Sequence, residues 1–294
     1  MSVVSHPAPV DSATRADRAI RVACVIAAVY LTITIPATLA ILRDPVGIPA
    51  GLTHLWALAL TWSGARSGGS DRTRTLRDWT PLLVGPFLYV QLRWVIAWLG
   101  MPHQDALVMG WEKAFFPSDP SATLAPRFAD VGLSEALHAA YLSYYALIYL
   151  PPLALYLRGR RERFAYTVLA LTVAYGVCFI IFALFPVDGP RFLRGPAAAP
   201  PGSMRSLALA LLEAGSSRGT AFPSSHVAAS VVASLCALRF QPLVGIVVAI
   251  LTAGLAVGAV YGGFHYGVDV LAGLMIGVVC YVLAMAVLPM QARD

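Results

Sequence analysis

Long apolar runs separated by short clusters of arginine, proline and glycine make up most of this chain. Eight runs, at roughly 20–42, 48–64, 80–100, 134–157, 164–186, 223–239, 242–261 and 265–288, approach or exceed the ~20 residues that an α-helix needs to cross a bilayer. The second is short, and the sixth is bounded by Pro223 and Pro242. The pattern predicts an all-α, polytopic membrane helical bundle of about eight transmembrane helices. Residues 1–19 are polar and read as a disordered cytoplasmic tail with no secretory cleavage site. Residues 20–160 hold the N-terminal transmembrane helices. Within them the segment 101–132 contains Trp111-Glu-Lys-Ala-Phe-Phe-Pro117, whose aromatics and mixed charge suit a short interfacial helix. Residues 161–290 form the region that carries the chemistry. Its loop 187–222 is a lid candidate in which Leu207–Glu213 reads as helical.

Composition agrees: 58% of the 294 residues are hydrophobic and 12% charged, with a mean hydropathy of +0.71. The four cysteines all fall within apolar runs and lack CxxC spacing, which argues against a disulfide or zinc role. The net charge of +6 does not read as a nucleic-acid footprint, because the arginines flank the apolar runs. With the N-terminus inside, thirteen cations fall on inner segments and seven on outer ones, leaving Arg93 within a span. That bias places both termini in the cytoplasm. The same topology puts the starts of spans six and eight, and the loop carrying Arg191, together on the outer side of the plasma (inner) membrane.

The polar residues at those two span mouths are the candidates for chemistry. In Thr220-Ala-Phe-Pro-Ser-Ser-His226, Pro223 suits a first helical position, which places Ser224, Ser225 and His226 in a first helical turn. Free N–H groups and the positive dipole end favour an anion there. In Tyr261-Gly-Gly-Phe-His-Tyr-Gly-Val-Asp269, His265 and Asp269 are four apart, so the carboxylate can orient the imidazole. Each histidine alone reads as an ordinary interfacial residue, and each serine as a cap. Two histidines, a carboxylate and a helix N-terminus at one membrane face point instead to phosphoryl transfer.

Pro223-Ser-Ser-His226 and His265-Tyr-Gly-Val-Asp269 resemble the second and third motifs of the type 2 phosphatidic acid phosphatase and vanadium haloperoxidase superfamily. Phe185-Pro-Val-Asp-Gly-Pro-Arg191 looks like a degraded first motif, and the resemblance covers about residues 165–290. Leu184 stands where that motif has a lysine, and Gly258 and Ala259 where the third motif begins Ser-Arg. The inositol phosphorylceramide synthase-like (inositolphosphotransferase) branch also lacks the third-motif arginine, and its added N-terminal helices are similar. The resemblance implies a metal-independent lipid-phosphate phosphatase or phosphotransferase with no cofactor. In it His265, oriented by Asp269, is the nucleophile and forms a phosphohistidine, and His226 is the acid and base. Arg191, Ser224 and Ser225 bind phosphate. Arg218 is the favoured replacement for the missing cations, ahead of Arg194, Arg205 and Arg93. The implied partners are a lipid phosphate, membrane lipids and water or an alcohol acceptor such as inositol. A lipid transporter or scramblase using the same polar cluster, and vanadate-dependent halide oxidation, are the rival readings.

Overall fold

The computed structural model describes residues 12–43, 45, 47–66 and 71–287. The predicted tail over 1–11, Arg293 and the end of the eighth span at 288 lie outside these residues. Among the described residues the chain is helical, with one isolated β-bridge between Val187 and Thr220. The helices run α1 (Ser12–Ile33), α2 (Ile35–Ala40), α3 (Gly47–Ala65), α4 (Asp71–Leu99), α5 (Asp105–Phe115), α6 (Pro120–Arg127) and α7 (Val131–Leu142). They continue as α8 (Tyr144–Leu157), α9 (Arg161–Leu184), α10 (Pro190–Arg194), α11 (Ser203–Gly215), α12 (Ser225–Phe240), α13 (Pro242–Tyr261) and α14 (Gly267–Val287).

Every predicted apolar run is helical, but the predicted count of eight spans is not reached. Among the described residues four helices, α4, α9, α13 and α14, are long and apolar enough to cross a bilayer, and the bent pair α7–α8, taken as one span, makes up to five. The reasons are local. The first run breaks at Thr34, because Pro36 has no N–H to give and restricts the residue before it. The fourth breaks at Ser143, where α7 and α8 bend by 47°. The sixth, α12, has 16 residues. The outward faces of the long helices are apolar, as lipid contact would have them: Leu243, Ile246 and Ile250 on α13, and Met275, Val279 and Leu283 on α14, are exposed.

α1 begins at Ser12, inside the stretch expected to be disordered, because its first turns are held by charge pairs. Arg15 meets Glu162 at 2.5 Å and Asp17 meets Arg161 at 2.7 Å and Arg77. Arg161 also forks onto Asp78, whose carboxylate is fully buried, at 2.5 and 2.7 Å. Arginines that read as topology markers in the sequence therefore also stitch α1, α4 and α9 together. The resulting core runs between α1, α9 and α12, around Ala23, Phe164, Ala170 and Ala233.

The segment 101–132, expected to hold one short interfacial helix, holds α5 followed by α6. The loop 187–222 is less free than a lid would be. Val187 N–H donates to the Gly219 carbonyl at 3.2 Å and Ala221 N–H to the Val187 carbonyl at 2.9 Å, which closes the loop at its base. Its helix α11 is capped from α7, where the Glu135 carboxylate accepts from the N–H groups of Met204 and Arg205.

α12 and α14 pack through glycine. A Cβ at Gly277 would lie 2.6 Å from the Ala228 carbonyl oxygen, and one at Gly273 2.5 Å from that of Ser224. Gly277→Leu should therefore lower the stability of the detergent-solubilised protein by about 1–3 kcal/mol. Chemical or thermal unfolding followed by tryptophan fluorescence measures this. An unchanged midpoint would mean the two helices can separate freely.

Candidate active site

Both histidine helices are anchored at their first turns. Ser224 adopts an extended backbone and its hydroxyl accepts from the Val227 N–H at 3.4 Å, so it is the N-cap of α12. Pro223 consequently precedes the helix and does not open it as the sequence suggested. Ser225 and His226 do occupy the first turn. The Ser224 N–H donates to the Asp269 carbonyl at 2.9 Å, which ties α12 to α14. Ser224 is fully buried, and both its N–H and its hydroxyl are committed. It shapes the turn, and it does not line the cavity that the two imidazoles share.

His265 lies in the turn before α14, its N–H donating to the Ala259 carbonyl at 3.1 Å. Its Nδ1 is 3.4 Å from Asp269 Oδ2, an oxygen that also accepts from the Tyr266 N–H at 2.8 Å. This leaves Nε2 as the ring nitrogen with no carboxylate beside it. The His226 and His265 rings are 6.1 Å apart, centroid to centroid. Burial pushes the His265 imidazole down to about 4, with the Arg191 charge adding to this and the Ala221 backbone opposing it.

The two imidazoles and Arg191 line one small cavity of about 30 Å³, together with Tyr89, Tyr141 and Ser216. Arg191 reaches it from α10 and bonds the Ser216 hydroxyl. Burial lowers its affinity for its proton, an effect opposed by Tyr141, Tyr89 and Glu213. Ser225 lines a second, larger cavity of about 210 Å³ that shares Tyr89, Tyr141, Leu212, Ser216 and His226 with the first.

The remaining cations do not join them. Arg218, the favoured replacement cation, is largely exposed, 3.3 Å from Asp188 and over the Phe192 ring at 5.4 Å, and does not line the small cavity. Arg194 is paired with Asp119 at 2.5 Å, and Arg205 donates to the Ala197 carbonyl. Arg93 is on an exposed face of α4. The motif departures have steric correlates. Leu184 points outward, and a Cβ at Gly258 would already lie 2.4 Å from the Leu137 carbonyl of α7. The bulk of α7 lies where the third motif would otherwise continue.

The sequence of this chain matches the profile of the PAP2 superfamily over residues 115–283. The chain belongs to the PAP2 superfamily. No curated protein and no solved structure matches it. The PAP2 match starts well before residue 165, so α7 and α8 belong to the shared region, whereas α1 to α4 precede it. Membership makes the chain a member of a family of phosphoester-cleaving enzymes, and its apolar helices fit an integral membrane protein.

Several residues of this PAP2 site were not singled out by motif spacing. Tyr141 stacks on His226 at 5.4 Å and 29°, and Tyr144 lies 4.3 Å from the same ring. The spacing of Tyr141, Tyr144, Tyr145 and Tyr149, on one helical face amid apolar residues, was the available signal. Glu112 was also missed. From α5 its carboxylate accepts from the N–H groups of Gly267 and Val268, both at 2.9 Å, and so caps α14. Burial raises its pKa, and those two N–H bonds resist the rise.

His103, Asp105 and Asp188 bring their ligand atoms within 4.8 Å of one another, a cluster that the sequence did not suggest. Its oxygens are already used. Asp105 accepts from the N–H groups of Asp188 and Gly189, and Asp188 from that of Gly219. The cluster organises the turn that presents Arg191.

Glu112→Ala would leave two buried N–H groups unpaired at the start of α14, costing about 1–3 kcal/mol for each. A matching loss of thermal stability is expected, and Glu112→Gln should recover part of it by restoring one acceptor. Equal stability of all three proteins would show that α14 needs no cap from α5.

Proposed function

We propose that this chain is an integral-membrane lipid-phosphate phosphatase or phosphotransferase that works through a phosphohistidine on His265. The observation that carries the reading is the meeting of His226, His265 and Arg191 around one cavity, with Asp269 behind His265. His265 Nε2 attacks phosphorus while Asp269 holds the Nδ1 side of the ring. The bond from phosphorus to the lipid oxygen breaks, and His226 gives its proton to that oxygen. Water then attacks the phosphohistidine and passes its proton to His226, which releases inorganic phosphate and restores His265. Arg191 balances the charge on the phosphoryl oxygens, and the first-turn N–H groups at Ser225 and His226 add a partial positive field. Charge stabilisation in this scheme comes from protein groups alone, so no metal or other cofactor enters a step.

An alcohol in place of water gives a head-group transferase. The absence of the third-motif arginine beside an intact His-His-Asp set favours the inositolphosphotransferase-like branch for that outcome. The arginine bias of the inner segments supports cytoplasmic termini and a site on the extracytoplasmic face of the plasma (inner) membrane.

The test is phosphate release from lipid phosphates by the purified full chain, with and without inositol. His265→Ala and His226→Ala should each lower kcat by roughly 10²–10⁴-fold. Wild type quenched in alkaline detergent should carry base-stable, acid-labile label from ³²P substrate, absent in His265→Ala. EDTA should leave the rate unchanged. Full activity in His265→Ala, or complete dependence on a divalent cation, would overturn the reading.

A further inference from the structure

A buried hydroxyl without a partner is costly, and a native fold keeps few of them. Five hydroxyl-bearing residues line the cavity shared by His226, His265 and Arg191: Tyr89, Tyr141, Ser216, Ser217 and Thr220. Three of these hydroxyls are committed. That of Thr220 donates to the Ser217 carbonyl at 2.7 Å, so in the 3.2 Å contact between Tyr89 and Thr220 the phenol is the donor. That of Ser216 donates to the Leu212 carbonyl at 2.5 Å and accepts from Arg191. The Tyr141 and Ser217 hydroxyls have no hydrogen-bond partner among the described residues, although the two residues are only 5% and 4% exposed.

Both residues are held from elsewhere in the fold. Tyr141 sits on α7, its ring stacked on His226 at 5.4 Å and 4.7 Å from the Phe264 ring. α7 comes this close because residue 258 is glycine. A Cβ there would lie 2.4 Å from the Leu137 carbonyl oxygen and 3.6 Å from the Tyr141 Cβ. Tyr141 therefore packs against the stretch from which the third motif's Ser-Arg is missing. Ser217 is fixed through its own carbonyl by Thr220, in the loop closed by the bond from Val187 to Gly219. Asp188, the carboxylate in the same wall, is already opposed. Its Oδ1 accepts from the Gly219 N–H and lies 3.0 Å from His103, and its Oδ2 lies 3.3 Å from Arg218.

We infer that Tyr141 and Ser217 are neutral hydrogen-bond donors to the non-bridging oxygens of the phosphoryl group, and that with Arg191 they form the clamp that further cations would otherwise supply. This assignment rests on the phosphohistidine reading above and adds two contacts to it. An O–H held in place in a poorly hydrated cavity stabilises developing negative charge without first having to reorient. It also brings no charge of its own. The empty site then buries two unsatisfied hydroxyls, a smaller cost than cations gathered without a counter-ion.

Tyr141→Phe keeps the ring against His226 and removes only the hydroxyl, and Ser217→Ala does the same for the serine. The full chain in lipid nanodiscs is titrated with orthovanadate, a five-coordinate mimic of a phosphoryl group in transfer. It is also assayed on a panel of phosphatidate, alkyl phosphate and isoprenyl phosphate. Each substitution should weaken orthovanadate binding and lower kcat/KM by about 10–100-fold, the weight of one hydrogen bond to a charged group. Without ligand, the thermal midpoint should stay level or rise in both variants, because the lost hydroxyl had no partner in the empty protein. The pH profile of kcat/KM should keep its shape in Tyr141→Phe, since the phenol acts on the phosphoryl group and not through His226.

Orthovanadate binding and kcat/KM equal to wild type in both variants would overturn the assignment. So would a ligand-free midpoint that falls while binding holds, the mark of a purely structural hydroxyl. A displaced pH profile with unchanged orthovanadate affinity would strike Tyr141 from the clamp and make it a residue that tunes His226. Weakened orthovanadate binding in both variants, with no turnover of the panel by wild type, would sink the phosphohistidine reading and leave the two donors standing. Turnover by wild type that both variants match would do the reverse, and neither binding nor turnover by wild type would remove both.

Discussion

One backbone hydrogen bond, from the Ser224 N–H to the Asp269 carbonyl, fixes the relation between the two histidine helices. It joins the residue just before α12 to the first turn of α14. The helices can come that close only because Gly273 and Gly277 present no Cβ to the facing carbonyls. Once the first turns are locked, the rings of His226 and His265 have little choice but to share a cavity. In water such an approach would gain from apolar burial. In a bilayer, where lipid is as apolar as the helix, close backbone packing and buried hydrogen bonds have to supply it.

Around that junction the chain uses carboxylates as helix caps. Glu112 caps α14, Glu135 caps α11, and Asp105 holds the turn before α10. Each takes N–H groups that would otherwise lack a partner, and each comes from a segment earlier in the chain. The short elements α5 and α7 therefore act as a frame. The loop carrying Arg191 and the turn carrying His265 are placed by contacts distant in sequence.

Much of this was legible in the sequence for a physical reason. Apolar length is a one-dimensional property, so every helical run could be located, and Pro-Ser-Ser-His with His-x-x-x-Asp is a local pattern. Tertiary relations were harder to read. Pro223 before a serine-rich turn suits either a first helical residue or the residue ahead of a cap, and the Asp269 carbonyl settles it in favour of the cap. Arg218 and Arg191 look alike on paper. Only the pull of Asp188 on one and the Ser216 hydroxyl beside the other separates them. Eight apolar runs suggested eight spans, but Pro36 and the bend at Ser143 divide two of them in ways that hydropathy averages over. That bend sets Tyr141 and Tyr144 against His226.

The charge cluster at the far end of the bundle has a bearing on how the chain can be divided. Glu162 and Arg161 open α9, within the family-matched region, but Arg15 and Asp17 of α1 and Asp78 of α4 complete their pairing. Cutting the chain ahead of residue 115 would strand ionised side chains in a poorly hydrated setting. The family-matched segment of this protein is thus not held by its own residues alone. The start of α9 is paired electrostatically with helices that lie ahead of the family-matched residues.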